Sequence, residues 1–206
     1  MQVTVCDHPL IKSKLTILRN EKTGTTEFRR IIGEIAALML YEVMKDFPLQ
    51  EVKVRTPLEE CVGYKDAKEV VVVPILRAGL GFLEGVSAVV PQIHVGHIGM
   101  SRNEETLQPE EYYYKMPKNK DAYYLIVDPM LATGGSAVAA VDNLKKRGIK
   151  DIRFMCLVAV PQGVELLNKK HPDVKIYTCS MDRCLNDVGY ILPGLGDAGD
   201  RTFGTV

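Results

Sequence analysis

The chain has 206 residues, enough for one domain with an ordinary hydrophobic core. Apolar residues make up 46% of it and charged residues 25%, a globular composition that excludes a disordered chain. Lys plus Arg and Asp plus Glu both number 26, so the formal net charge is zero. A neutral chain has no overall attraction to nucleic acid or to an anionic membrane, and we expect neither as a partner.

The cysteines and the N-terminus bear on location. The five cysteines are odd in number and show no C-x-x-C spacing. The first residues contain no charged leader followed by an apolar stretch, and no apolar run reaches the roughly eighteen residues of a membrane span. We therefore expect a reducing, cytoplasmic environment.

The first predicted element is a helix over residues 25–47. Thr25 or Thr26 can cap its start, and Pro48 stops it. The apolar residues recur at helical spacing: Phe28, Ile31, Ile32, Ile35, Leu38, Met39 and Val43.

Apolar runs and helical segments alternate through the rest of the chain. EVVVVPIL (residues 69–76) is a nearly unbroken β-branched run, typical of a strand buried on both faces of a parallel sheet. AYYLIVDPM, IRFMCLVAV and VKIYTCS are further strands, and SAVAAVDNLKKRG and PQGVELLNKKHP are helices between them. The order predicts an α/β fold with a mostly parallel sheet flanked by helices, in a single domain spanning residues 1–206.

Residues 96–120 interrupt this alternation with mixed charges, two prolines and three consecutive tyrosines. A polar insertion of this length is typical of a lid or binding loop. A solvated hairpin whose tyrosines pack on a neighbouring surface explains it equally well. Glu110 and Glu111 argue against a platform for stacking nucleic-acid bases, where basic residues are expected.

The segment DPMLATGGSA follows a predicted strand and opens a helix. Its glycines allow successive backbone N–H groups to converge on an anion, beside the positive end of the helix dipole, so the segment predicts a phosphate-binding loop. It is not a Walker A loop, because the Gly-Lys-Ser/Thr ending is absent. The alternative is a plain strand-to-helix turn with Ser136 as the N-cap.

Two other glycine-rich segments carry charged residues. PILRAGLGF places Arg77 at the end of a buried strand, where a phosphate is the partner that its guanidinium fits best. The C-terminal PGLGDAGDRTFGTV contains G-x-G-x-x-G at Gly194, Gly196 and Gly199. We expect no room there for the helix that follows a dinucleotide fingerprint, so its glycines serve another ligand.

Together these segments resemble the uracil phosphoribosyltransferases, a branch of the type I phosphoribosyltransferases. The similarity extends to HPLIKSKLTILRN near the N-terminus and to SRNEETLQPEEYYYKMP in the insertion, so the five blocks are spread over nearly the whole chain. The resemblance implies the type I fold with a small base-binding hood and an inserted hairpin or lid. It also implies a homodimer or a higher homo-oligomer.

The resemblance further implies transfer of the 5-phosphoribosyl group of phosphoribosyl pyrophosphate (PRPP) to N1 of uracil, giving UMP and pyrophosphate. Mg²⁺ would be held mainly through PRPP, without a dedicated protein site. The implied catalytic residues are Arg77, Arg102, Asp128 and Asp197. The implied PRPP-binding residues are these four with Pro129, Met130, Leu131, Ala132, Thr133, Gly134, Gly135 and Ser136. Uracil is assigned to Ile191, Gly196, Asp197 and Ala198.

Two other function classes remain open at this stage. One is a regulatory protein of the same fold that binds messenger RNA, against which the neutral charge argues. The other is a nucleotide-binding module without catalysis. An RNA gel shift tests the first, and a turnover assay with uracil and PRPP tests the second.

Overall fold

The computed structural model describes residues 3–102 and 109–205. The helices are α1 (Pro9–Arg19), α2 (Thr25–Val43), α3 (Leu83–Val89), α4 (Gly135–Lys146), α5 (Pro161–Lys170) and α6 (Ala198–Phe203), with a 3-10 helix at Ala78–Phe82. The strands are β1 (Val3–Val5), β2 (Leu49–Arg55), β3 (Glu60–Asp66), β4 (Val70–Leu76), β5 (His94–Val95), β6 (His97–Arg102), β7 (Pro109–Lys115), β8 (Tyr123–Val127), β9 (Met130–Leu131), β10 (Ile152–Ala159), β11 (Lys175–Met181), β12 (Cys184–Leu185) and β13 (Ile191–Leu192). Within these ranges no helix has the length and apolar character to cross a membrane.

One large sheet organises the molecule. Its strands follow the order β1-β11-β10-β8-β4-β6-β7, with β5 paired to β4 and β9 to β10. The described pairings are parallel except that of β6 with β7. The predicted α/β fold with a mostly parallel sheet flanked by helices is therefore confirmed. Strand β8 lies in the middle, so the residue that follows it stands at the centre of the carboxyl edge.

Helices cover both faces of this sheet. Successive residues of a strand point to opposite faces, so Val70 and Val72 join one core cluster while Val71 and Val73 join the other. The first cluster contains the buried faces of α1 and α2, and the second contains those of α4 and α5. Unbroken apolar runs are required here because both faces of each central strand are covered.

Two predicted elements have different bounds in the structure. Helix α2 ends at Val43, and Phe47 packs its ring edge-on against Tyr123 with centroids 5.3 Å apart. The strand predicted from AYYLIVDPM divides, because β8 ends at Val127 and Pro129 follows Asp128 directly. The chain then pairs again with β10 through β9.

The sequence analysis missed α1 and the β2–β3 hairpin. Helix α1 is capped by His8, whose Nδ1 accepts a hydrogen bond from the N–H of Leu10 at 3.2 Å. The hairpin turns at Thr56, whose Oγ1 accepts hydrogen bonds from the N–H groups of Leu58 and Glu59. It forms a separate two-stranded sheet with most of its residues exposed on both faces.

The insertion forms the antiparallel hairpin β6–β7, which confirms the predicted hairpin. Tyr114 lies beneath the guanidinium of Arg147, 3.8 Å from the ring centroid, and Tyr112 packs over Gly99. Part of the tyrosine run thus packs on neighbouring surface, although Tyr112 and Tyr113 remain substantially exposed. Residues 103–108 of the insertion lie outside the described residues.

Candidate active site

Asp128 follows the central strand β8, and its carboxyl group has few protein partners. Among the described residues, its hydrogen-bond donor is the N–H of Met130, 3.4 Å from Oδ1. Burial raises the pKa of Asp128 from 3.8 to about 7, and the hydrogen bond from Met130 only partly opposes this rise. A perturbed carboxyl at the carboxyl edge of a parallel sheet is typical of a ligand-binding site.

The loop after Asp128 is held by backbone groups. The carbonyl oxygen of Pro129 accepts hydrogen bonds from the N–H groups of Leu157 and Val158, at 3.0 and 3.1 Å. The carbonyl oxygen of Leu131 accepts one from Val160 at 3.2 Å. These backbone hydrogen bonds join the loop to the end of β10.

Gly134 ends this loop as the N-cap of α4, with a φ of +85° that favours glycine. A Cβ at Gly134 would lie 2.9 Å from the carbonyl oxygen of Gly163, so the position is tight as well as left-handed. Within the described chain no side chain caps α4, which leaves its first N–H groups available to an anion. The alternative with Ser136 as N-cap is wrong, because Ser136 lies in the first turn.

Arg77 follows β4, the neighbour of β8 in the sheet. Its Nη2 donates a hydrogen bond to Oδ1 of Asp200 at 3.1 Å, and its Nη1 donates to Oγ1 of Thr205 at 3.3 Å. About half of the side chain is exposed. Arg77 therefore joins the end of β4 to the C-terminal segment and still faces solvent.

The C-terminal segment forms a small substructure of its own. Strands β12 and β13 pair antiparallel, and α6 follows after the glycines. Asp197 is the N-cap of α6, because its Oδ1 accepts a hydrogen bond from the N–H of Asp200 at 2.9 Å. A short helix of six residues, α6, follows the glycines. It is still too short to be the helix of a dinucleotide-binding unit.

The 3-10 helix Ala78–Phe82 brings the three segments together. A Cβ at Gly79 would overlap the carbonyl oxygen of Val127, so this helix packs directly on the end of β8. A Cβ at Gly81 would lie 3.5 Å from Cγ2 of Thr202 in α6. The absence of side chains at these two glycines thus allows β4, β8 and the C-terminal segment to meet at one edge.

Comparison with known proteins gives the same result along the whole chain. A family model described as uracil phosphoribosyltransferase matches residues 5–205. A uracil phosphoribosyltransferase of Ligilactobacillus salivarius is 58% identical over 203 residues, which cover 98% of this chain and 97% of that protein. One from Macrococcus caseolyticus is 56% identical over 206 residues, covering 99% of both.

The chain belongs to the uracil phosphoribosyltransferase family. Among solved structures, the AQ2163 protein from Aquifex aeolicus is similar with a TM-score of 0.91 and 40% identity, covering 98% of this chain and 97% of that one. The resemblance inferred from five short blocks is therefore confirmed at the level of the family.

Three of the residues predicted from that family resemblance, Arg77, Asp128 and Asp197, lie at or next to the segment ends that meet here. A Cβ at Gly199 would lie 3.3 Å from Oδ1 of Asp197 and 3.7 Å from Cβ of Ala78. Ala78 follows Arg77 directly, so Asp197 lies near the end of β4. Gly196 and Asp197 are exposed, whereas Ile191 and Ala198 are buried. Arg102 ends β6 beside β4, but its side chain lies outside what the structure describes.

Three charged side chains that hold the C-terminal segment in place were not predicted from the sequence. Arg201 donates hydrogen bonds to the carbonyl oxygens of Leu18, Leu195 and Asn20, at 2.6, 2.7 and 2.7 Å. Arg19 forms an ion pair with Asp182. Asp182 comes directly after β11, and a carboxylate after a buried strand is the signal that identified Asp128.

Proposed function

We propose that the chain transfers the 5-phosphoribosyl group of PRPP to N1 of uracil, forming UMP and releasing pyrophosphate. The observation that carries the proposal is the convergence of Arg77, Asp128 and the C-terminal segment at one sheet edge, in a chain of the uracil phosphoribosyltransferase family. In open α/β sheets this edge is where ligands bind.

PRPP would lie across the carboxyl ends of β4 and β8. The N–H groups of residues 132–136 would bind the 5-phosphate at the uncapped start of α4, and residues 129–131 would shape the wall of the site. Asp128 would accept hydrogen bonds from the ribose hydroxyls. Its single long hydrogen bond within the described residues leaves acceptor sites for these donors.

Catalysis would rest on stabilising charge. As the bond to pyrophosphate breaks, negative charge grows on the leaving group and positive charge grows on the ribose. Arg77 and Arg102 would neutralise the pyrophosphate. The carboxylates of Asp128 and Asp197 would face the cationic sugar, so the site places opposite charges on the two sides of the breaking bond.

Magnesium is the cofactor that PRPP chemistry implies. The described residues contain no group of three His, Cys, Asp or Glu side chains that could hold a metal ion. Mg²⁺ commonly binds through one or two carboxylates, waters and the phosphates of a substrate. The carboxyl group of Asp128 fits such a role, and the bound ion would neutralise charge on the pyrophosphate.

Uracil would bind at Ile191, Gly196, Asp197 and Ala198. Its O2, N3 and O4 edge offers an acceptor, a donor and an acceptor, which backbone N–H and C=O groups of an open loop can match. Cytosine carries an amino group at C4 and an unprotonated N3, so it would leave buried donors and acceptors unpaired. Such mismatches reject a ligand by roughly 10⁴-fold or more.

The deciding experiment offers uracil, cytosine, adenine and hypoxanthine in parallel, each with PRPP and Mg²⁺. We expect UMP and pyrophosphate from uracil and no nucleotide from the other bases. The same protein is tested by gel shift on pyrimidine leader RNA, where we expect no complex. Failure to form UMP would refute the proposal, and a specific RNA complex without turnover would favour the regulatory alternative.

Arg77→Ala tests the assigned phosphate contact. We expect PRPP affinity to fall roughly 10- to 100-fold in calorimetry, because each charge-assisted hydrogen bond contributes about 1.5 to 3 kcal/mol. Arg30→Ala is the matched control, since its side chain is also 55% exposed but lies on α2. Equal PRPP affinity in both variants would remove Arg77 from the site.

We also propose that the whole chain acts as one catalytic domain within a homodimer in the cytoplasm. The β2–β3 hairpin supports the dimer: its apolar side chains, including Leu58 at 92% and Tyr64 at 64% exposure, face solvent, and isolated two-stranded hairpins are marginal in water. Light scattering should give the mass of two chains. The five free thiols suit a reducing compartment.

A further inference from the structure

A buried ion pair lies behind the proposed uracil pocket. Arg19, the last residue of α1, donates from Nη1 to Oδ2 of Asp182 at 2.8 Å and from Nη2 to Oδ1 at 2.6 Å. Ser180 donates its hydroxyl hydrogen to Oδ1 of the same carboxylate at 2.7 Å. The side chain of Asp182 is 2% exposed, whereas that of Arg19 is 24% exposed. The pair is therefore shielded on the carboxylate side and reachable from solvent on the guanidinium side.

Both members of this pair also bind the backbone of Gly194. The N–H of Gly194 donates to Oδ2 of Asp182 at 2.9 Å, and its carbonyl oxygen accepts a hydrogen bond from Nη1 of Arg19, also at 2.9 Å. The ion pair thus takes up the donor and an acceptor site of one residue. The N–H of Gly194 is therefore not available to a base, and its carbonyl oxygen keeps one further acceptor site, so we assign recognition mainly to the residues that follow.

Gly194 is the turn that joins the two sides of the pocket. Its φ is +61°, and a Cβ there would overlap the carbonyl oxygen of Ile191. The chain therefore folds back on Ile191 before it reaches Gly196 and Asp197. Groups that hold the backbone of Gly194 therefore also set the distance between Ile191 and the exposed residues Gly196 and Asp197.

The chemistry of the pair suits positioning better than stability. Buried ion pairs contribute little net stability, because desolvation offsets their attraction, but they favour one geometry over its alternatives. Burial opposes ionisation of Asp182, yet the hydrogen bonds from Arg19, Ser180 and Gly194 outweigh it and lower the pKa of the carboxyl. The group stays ionised, and both guanidinium bonds are charge-assisted and directional.

We propose that Arg19 and Asp182 are positioning residues that set the geometry of the uracil pocket through Gly194. The inference rests on the proposed function, since it assumes that Ile191, Gly196 and Asp197 bind the base. It adds residues from the end of α1 and the end of β11 that do not touch the substrate. It also predicts different effects on the two substrates, because among the described residues no hydrogen bond joins either side chain to the loop over residues 129–134.

Asp182→Asn and Arg19→Lys test the proposal with little change in volume. We expect KM for uracil at saturating PRPP to rise roughly 10- to 100-fold, the equivalent of losing one or two charge-assisted hydrogen bonds. The dissociation constant for PRPP should stay within about twofold, because the phosphate loop is held by other groups. Asp173→Asn is the control, since it removes an exposed carboxylate paired with Lys145 and should leave both values unchanged.

Chemical rescue separates positioning from a general loss of folding. In Arg19→Ala the guanidinium leaves a partly open space, and added methylguanidinium should lower KM for uracil again. Sodium chloride at the same ionic strength should not. A purely structural role would lower the active fraction, and with it kcat, at unchanged KM.

The outcomes distinguish this inference from the proposed function. If the wild-type protein makes no UMP, the proposed function fails and the pair loses its context. If the wild-type protein is active while Asp182→Asn and Arg19→Lys keep the wild-type KM for uracil, the inference alone is wrong. Equal losses for uracil and PRPP would also overturn it.

Discussion

The proposed phosphate loop and the C-terminal segment are both glycine-rich, but different parts of the chain hold them. The loop after Asp128 is joined to β10 by backbone hydrogen bonds at Pro129 and Leu131. The C-terminal segment is held by the side chains of Arg19, Asp182 and Arg201, which bind its backbone. The first region depends on backbone conformation, and the second depends on particular side chains.

This difference fits the ligand proposed for each region. A phosphate is a compact anion that a fixed array of N–H groups can bind, so an extension of the sheet is sufficient. A flat base must be distinguished from close analogues by the spacing of donors and acceptors. Side chains that bind the backbone of the C-terminal segment can fix the spacing of its donors and acceptors. The segment then does not have to pair with the large sheet.

The largest effect should come from breaking the backbone-held region. In Gly163→Val, the added side chain would overlap the carbonyl oxygen of Ala132, which cannot move without disrupting the joint to β10. We expect the free energy of unfolding to fall by about 3 kcal/mol or more in urea titrations.

Thr133→Ala is the contrasting variant in the same loop, because its exposed side chain does not hold the loop. Its free energy of unfolding should change by less than about 0.5 kcal/mol. If both variants lose the same stability, the loop does not depend on its backbone as the structure indicates.

The second effect concerns the side-chain-held region. Arg201→Met keeps the aliphatic stem of the side chain, but removes the guanidinium that lies over Phe28 and donates to three carbonyl oxygens. We expect a loss of about 2 to 4 kcal/mol in the free energy of unfolding, because partly buried acceptors are left unpaired.

Arg29→Met is the matched control for this change. Arg29 donates one hydrogen bond, from Nε to the carbonyl oxygen of Thr202 at 3.2 Å. Its loss should cost about 0.5 to 1.5 kcal/mol. Equal costs for the two variants would show that the number of bonded carbonyls does not determine stability here.

A third effect depends on pH and isolates Asp128. The carboxyl has a higher pKa in the folded protein, about 7, than its ordinary value of 3.8, so the folded state binds the proton more tightly. The contribution of protonated Asp128 to the free energy of unfolding is fully present below a pH of about 3.8. It is lost as the pH rises through about 7, the pKa in the folded protein. Asp128→Asn removes the ionising group, so its melting temperature should exceed that of the wild type at about pH 8, and the gap should narrow towards about pH 5. A gap that is constant over this range would show that Asp128 ionises normally.

The smallest effect concerns the contact between the two regions. The hydrogen bond from Thr205 and the charge of Arg77 lower the pKa of Asp200, so its carboxylate stays ionised beside the proposed phosphate contact. Asp200→Asn should tighten PRPP binding by about two- to fivefold in low salt and less in high salt, because a competing negative charge is removed. Asp187→Asn, in the exposed loop between β12 and β13, should leave PRPP affinity unchanged. Weaker PRPP binding in Asp200→Asn would mean that Asp200 supports Arg77 and does not compete for it.

The sequence predicted the strands and helices whose residues show a local hydrophobic pattern. Strands β4 and β8 are continuous apolar runs, β10 and β11 are largely buried, and their alternation with helices specifies a parallel sheet. Helix α1 was missed although Ile11, Leu15 and Leu18 follow helical spacing behind the capping His8. The β2–β3 hairpin was missed because most of both faces is exposed, so hydrophobic alternation is weak.

The site was predicted where a charged residue follows a strand, as at Arg77 and Asp128. The ties of the C-terminal segment could not be predicted in this way. Arg19 and Asp182 are 163 positions apart, and Arg19 and Gly194 are 175 apart, so no spacing connects them. Gly134 was predicted as a glycine of the phosphate-binding loop, but only the structure shows that Gly163 closes the space around it.

The exposed β2–β3 hairpin also affects what a stability measurement on this protein means. A ribbon with both faces in water adds little free energy to a single chain, while a second copy that covers it adds stability by mass action. In the proposed homodimer, folding and association would share one equilibrium, and the free energy of unfolding would include a term in protein concentration. Dilution would then lower the measured stability, and the free energies of unfolding of variants should be compared at equal protein concentration.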